Sequence, residues 1–168
     1  IEIQTRLDFK KEGSFAAAVE MCNGVGACRK VHAGAMCPSY MATREEKHTT
    51  RGRANALRGV LSGSLPAESF SSKNMMDVLD LCLGCKSCKS ECPSNVDMAK
   101  IKYEYLYQYY KTRKIPLSSK LVADIHRMSS ISAPVAPIAN VVTRSLPVRL
   151  LFEKVAGFDR SRPSPKVV

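Results

Sequence analysis

The chain lacks what a stand-alone enzyme needs. Its 168 residues show no Ser/His/Asp set, no glycine loop for phosphate and no paired acidic site, so they offer no centre for nucleophilic, phosphoryl-transfer or two-carboxylate chemistry. Histidine is scarce: His32, His48 and His126 are isolated, and His48 and His126 are expected at the surface. No apolar run is long enough to span a bilayer, and no secretory signal opens the chain. No stretch reads convincingly as a strand. Acidic residues are few, 15 against 26 Lys and Arg, giving a formal charge of +11. That surplus suits a solvated face or a counterweight to anionic groups; it also suits docking to an acidic partner or an anionic membrane surface. Nucleic acid ranks last, because no basic helix is interleaved with aromatics and no known binding motif is present.

Cysteine, by contrast, is abundant and clustered. Seven thiols is an odd number, so a disulfide framework would leave one over. Reduced thiolates in a cytosolic setting fit better. Cys82, Cys85, Cys88 and Cys92, followed by Pro93, reproduce the established bacterial iron–sulfur spacing C-x2-C-x2-C-x3-C-P. Residues three apart on a tight turn can bring three thiolates to three corners of one cluster, with Gly84 and Ser87 letting the backbone close in. The fourth cysteine in such a run serves a second cluster, so a partner run is expected. Lys86 and Lys89, inside the run, are expected to raise the reduction potential of its cluster.

The partner run is Cys22-Asn-Gly-Val-Gly-Ala-Cys28, followed after eight residues by Cys37-Pro38. Aligned on the other run, its second corner is Val25. Three readings remain open: a three-iron cluster lacking the iron that Val25 cannot hold, a four-iron cluster with a non-cysteine ligand such as His32 or Asn23, or a run that holds nothing. The first is preferred, because an apolar residue at that corner removes a ligand and would exclude water. Crossed ligation then assigns Cys82, Cys85, Cys88 and Cys37 to a 4Fe-4S cluster, and Cys22, Cys28 and Cys92 to a 3Fe-4S or incomplete 4Fe-4S cluster. All seven thiols are used.

The remaining pattern predicts an all-α fold: an α-helical ferredoxin with extra C-terminal helices. Residues 1–13 read as a linker from an upstream domain, 14–116 as the two-cluster domain, 117–158 as a helical extension and 159–168 as an extended tail. Ser14 is expected to cap a helix carrying Phe15, Val19 and Cys22 on one face, and Thr43 with Glu46 resembles a capping box. Thr49 or Thr50 should start a helix that buries Ala54, Leu57, Val60 and Leu61 and stops at Gly63, and residues 62–72 read as a loop. Ser94 or Asn95 should cap a helix from about 96 to 113. Arg51 and Arg53 serve either helix solubility or an approach to a cluster or a flavin-bearing neighbour. The chain opens at Ile1 without methionine and reads as a piece of something larger.

The segments Met21-Cys-Asn-Gly-Val-Gly-Ala-Cys-Arg-Lys, Met36-Cys-Pro-Ser-Tyr-Met-Ala-Thr-Arg and His48-Thr-Thr-Arg-Gly-Arg-Ala-Asn-Ala-Leu-Arg resemble the iron–sulfur region of the large FAD-linked 2-hydroxy-acid oxidoreductases, the D-lactate, glycolate and D-2-hydroxyglutarate dehydrogenase-like group. The resemblance covers about residues 10–160. It implies an electron-transfer module, not catalytic alone, that takes electrons from FAD on a neighbouring domain or chain. It passes them to a cysteine-rich domain or a quinone-reducing partner. A cytoplasmic place, at the inner face of the cell membrane, is expected. The Cys-x-x-Val-x-x-Cys frame is also similar to the succinate dehydrogenase and fumarate reductase iron–sulfur subunit, although the plant-type two-iron run is absent. A structural zinc module is the other alternative, but zinc sites use separated C-x2-C pairs.

Overall fold

The computed structural model describes residues 3–162, and among these every regular element is helical. The chain divides into two compact units, Ile1–Thr112 and Arg113–Val168.

The first unit is built around α3 (Thr50–Leu61), which packs against α1 (Phe15–Glu20), α4 (Lys73–Asp80) and α6 (Met98–Tyr110). The helix starts where the sequence expects. The Thr49 hydroxyl accepts from the Gly52 N–H at 2.7 Å, and Gly63, at φ 81°, closes the C-terminal end. Ala54, Leu57 and Val60 are wholly buried on its inner face. Ser14 caps α1 through the Ala17 N–H, and Ser72 caps α4 through the Met75 N–H. A chain of rings, Phe9–Phe15–Phe70–Tyr105–Tyr109, runs through the core with centroids 5.3–6.3 Å apart. The alternating tyrosines of α6 sort by helical period: Tyr105 is buried and Tyr109 packs on the core, while Tyr103 and Tyr107 are exposed.

Several local expectations are corrected. The Thr43–Glu46 capping box does not form. Thr43 ends α2 (Pro38–Thr43), and its hydroxyl donates to the Ser39 carbonyl and bonds His48 Nδ1 at 2.8 Å. His48 is therefore buried rather than at the surface, and burial lowers its pKa. α6 begins later than Ser94 or Asn95 because Asp97 supplies the cap, accepting from the Lys100 N–H at 3.0 Å. Residues 62–72 contain a 3-10 turn at Ala67–Ser71 that buries Phe70.

Residues 6–12 are bound to α6. Glu104, wholly buried, accepts from the Arg6 and Leu7 N–H groups and from Gln108 Nε2, and Glu12 pairs with Lys100 at 2.8 Å.

The described residues of the second unit hold the α-helices α7 (Leu117–Ala123), α8 (Ile125–Ser132), α9 (Ala136–Arg144) and α10 (Leu146–Ala156), with a 3-10 turn at Ala133–Val135. Pro137 and Pro147 occupy first-turn positions of α9 and α10, and Gly157 caps α10 in the left-handed conformation. Leu121, Ile125 and Met128, spaced in the sequence as one helical stripe, lie on either side of a break at Asp124. Ile131, Ile138, Val141 and Leu146 are all more than 60% exposed. Of the expected tail, residues 163–168 lie outside the described residues, as do Ile1 and Glu2 of the expected linker.

Candidate metal centre

The two cysteine runs adopt one backbone plan. Each begins at the end of a helix: Met21 closes α1 before Cys22, and Leu81 closes α4 before Cys82. Two left-handed residues follow at matching places, Gly24 and Gly26 in the first run, Gly84 and Lys86 in the second. Each then enters a short helical turn, Ala27–Arg29 or α5 (Ser87–Glu91), that carries the third corner, Cys28 or Cys88. Val25 thus stands at the place of Cys85, and both side chains are exposed. The expectation that Val25 would exclude water does not hold, since it is 60% exposed.

A helix further along the chain from each run completes the likeness, α3 for the first and α6 for the second. The first turn of α3 puts the Arg51 N–H 3.4 Å from Cys28 Sγ, and the N–H groups of Met98 and Ala99, opening α6, face the Cys88 sulfur. Backbone donors of this kind stabilise thiolates and clusters. A basic side chain further along each helix fastens the first corner. Arg58 Nη2 donates to the Cys22 carbonyl at 2.7 Å, and Lys102 Nζ donates to the Cys82 carbonyl at 2.6 Å. Without metal, burial raises the pKa of Cys28 and Cys88, while the neighbouring Ser87 hydroxyl lowers that of Cys85.

Cys37, Cys82, Cys85 and Cys88 line one small cavity, together with Arg53, Gly84 and Met98. Cys37 comes from a remote part of the chain and is positioned by two devices. Glu91 accepts from the Ala35 and Met36 N–H groups at 2.7 and 3.2 Å, tying the approach to Cys37 onto the other run. Pro38 then opens α2 directly after it. Glycine suits position 34, because its φ of 77° is left-handed and a Cβ there would displace the Glu91 carboxylate. Cys92 does not line that cavity; its own N–H bonds the Cys88 carbonyl and its carbonyl accepts from Asn95. His32 and Asn23 are exposed, and Asn23 Oδ1 is engaged by the Val25 N–H.

Among the described residues, no three Cys, His or carboxylate side chains converge where a single ion would sit. Cys37, Cys82, Cys85 and Cys88 instead line the cavity. Four thiols spread round one cavity suit a cluster, which distributes its ligands over several irons.

The cations differ in reach. Lys86 Nζ lies 3.7 Å from Asp97 and Lys89 Nζ bonds the Asn95 carbonyl, so neither touches sulfur. Arg53 does, with Nη1 3.4 Å from Cys37 Sγ. Sequence reasoning missed the roles of Glu91, Glu104 and Lys102. For Glu91 a signal existed, a carboxylate directly before Cys92 in an otherwise basic run.

Residues 18–96 match the 4Fe-4S dicluster domain family. The chain is 30% identical to a D-2-hydroxyglutarate dehydrogenase of Pseudomonas putida, an alignment covering 94% of this chain and 19% of that protein. It is 26% identical to a D-2-hydroxyglutarate dehydrogenase of Escherichia coli, covering 81% of the chain and 17% of the relative. With the glycolate oxidase iron–sulfur subunit of Escherichia coli it shares 34% identity, over 48% of the chain and 19% of the relative. The chain therefore spans less than a fifth of the length of these curated relatives. No solved structure matches. Residues 18–96 are thus similar to the 4Fe-4S dicluster domain family, in a chain that resembles part of these D-2-hydroxyglutarate dehydrogenases and glycolate oxidase iron–sulfur subunits.

Proposed function

We propose that this chain relays electrons from a flavin, reduced by oxidation of a 2-hydroxy acid, to a downstream cysteine-rich or quinone-reducing acceptor. Cys37, Cys82, Cys85 and Cys88 hold a four-iron cluster. Cys22, Cys28 and Cys92 hold a second, of the three-iron kind, with Val25 at the corner without a thiolate. Iron–sulfur clusters supply one-electron storage, which divides the two-electron oxidation of a flavin. The chain's residues do the rest. They place the thiols, aim N–H donors at sulfur and bury Cys28, Cys37 and Cys88 while leaving Cys85 at the surface as an electron entry or exit.

The observation that carries this reading is the single cavity lined by four cysteines from two remote segments. Cys37→Ser tests it. In anaerobically reconstituted protein the variant should lose the four-iron signal, keep the other centre and accept fewer electrons from a photoreduced flavin. Retention of both centres would contradict the assignment.

A place at an anionic membrane surface is also proposed, supported by the exposed apolar side chains of α8–α10 among Arg127, Arg144, Arg149 and Lys154. Among the described residues, no single helix is long and apolar enough to cross a membrane. Sedimentation with phosphatidylglycerol vesicles, weakened by salt and absent with phosphatidylcholine, is expected; equal recovery in the supernatant with both contradicts it.

A further inference from the structure

Arg53 is the largest side chain wholly withdrawn from solvent. Its Nε donates to the Val78 carbonyl at 3.0 Å, Nη2 to Ser39 Oγ at 3.0 Å, and Nη1 points at Cys37 Sγ at 3.4 Å. Ser39 Oγ in turn lies 3.3 Å from the same sulfur and donates to the His48 carbonyl. The other α3 arginines spend their charge on carboxylates, Arg51 on Glu46 and Arg58 on Glu20. Among the described residues Arg53 has no such partner. A buried, uncompensated guanidinium is costly. Two carbonyl or hydroxyl acceptors do not neutralise it. The group it faces with its remaining donors is the Cys37 sulfur, which binds metal as a thiolate.

We infer that Arg53 is the built-in counter-cation of the centre at Cys37, Cys82, Cys85 and Cys88, and that it raises the reduction potential of that centre alone. The inference rests on the four-cysteine assignment proposed above. Adding an electron makes a thiolate-bound centre more negative. A fixed positive charge buried beside one ligand, where screening is weak, favours the reduced form. At the other centre Cys28 receives the Arg51 backbone N–H and the Thr49 hydroxyl, and the Arg51 guanidinium nearby is already paired with Glu46 and bonded to the Gly24 carbonyl. Arg53 therefore acts on potential through Cys37 and is a positioning and tuning residue.

The test is an EPR-monitored redox titration of reconstituted protein, with iron content measured beside it. Arg53→Gln should lower the midpoint of one centre and leave the other in place, with iron unchanged. Arg53→Lys, which keeps the charge, should lie closer to the parent, a difference that lost packing alone would not produce. An unmoved midpoint with full iron, or equal shifts in both centres, overturns the inference. If Arg53→Gln fails to retain iron, Ser39→Ala replaces it: freeing the guanidinium from its anchor should lower the same midpoint, and no shift overturns the claim. Cys37→Ser separates the two levels. If it spares both centres, the ligand assignment falls and takes the inference with it. If it removes one centre while Arg53→Gln moves nothing, the inference alone falls.

Discussion

Single residues at the two ends of the first unit show how few polar groups hold it together. Glu104 accepts both the Arg6 and Leu7 N–H groups from inside the core. Glu104→Ala leaves those donors without acceptors and should cost about 1–3 kcal/mol, read as a lower melting temperature with faster proteolysis near residues 3–12. An unchanged melting curve would show that the contact carries no weight. Glu12 makes a milder case. Its hydrogen bond and ion pair with Lys100 lower its pKa below the ordinary carboxylate range. A depressed pKa means that the carboxylate's stabilisation is present above the unfolded value of about 4.3 and is lost as pH falls through the folded one. Glu12→Gln should therefore be less stable than the parent at neutral pH, by about 0.5–1 kcal/mol. The two thermal curves should merge on acidification below the carboxylate range. A gap that persists at low pH would assign the effect to something other than charge.

At the scale of elements, α3 is the part on which both cysteine runs depend. Its first turn offers the Arg51 N–H to Cys28 and the Arg53 side chain to Cys37. Gly52 between them is not a flexible spacer. A Cβ there would run into the Glu46 carbonyl and come within 3.0 Å of Lys47 Cα. Gly52→Ala must push the 3-10 turn Glu46–His48 away from the helix, and overpacking of this kind costs about 1–3 kcal/mol. The expected result is reduced iron retention at both sites, measured by iron and sulfide analysis. Full retention would mean that the turn shifts without disturbing the arginines. Much of this element was legible in the sequence: its cap, its buried stripe and its stop at Gly63 all follow from local rules. What α3 does at its N-terminal end was not. The letters Arg-Gly-Arg are compatible with a solvated face until Arg53 is seen inside, because periodicity gives direction on a helix but not the polar group that waits opposite.

For the molecule as a whole, the cysteine spacing and the helical periods carried the fold class and the candidate ligands. The tight left-handed turns at Gly24, Gly26 and Gly84 follow from glycine placement. Lys86 at φ 62° does not, since a lysine there carries no turn signal. His48 misled for a related reason. A lone histidine has no pattern, and its burial depends on Thr43, five residues away, abandoning the cap that its own local sequence suggested. Cross-ties such as Glu91 to Ala35 and Met36, or Glu104 to Arg6 and Leu7, join residues more than fifty positions apart, where no local rule reaches. Leu121, Ile125 and Met128, and likewise Val148, Leu151 and Val155, recur at helical spacing in the sequence, yet Ile125, Met128, Leu151 and Val155 are exposed, so the pattern marked helices without marking a core.

The central claim is that one backbone plan, used twice, holds two different clusters because Val25 replaces the residue matching Cys85. EPR on the anaerobically purified, oxidised protein, with iron and sulfide analysis, tests it most directly. An oxidised three-iron centre is paramagnetic and an oxidised four-iron centre is silent. The account predicts a near-isotropic signal and about seven irons per chain. In Val25→Cys it predicts loss of that signal with a rise to about eight. A silent parent holding about four irons would contradict it, leaving a single centre and no relay between two.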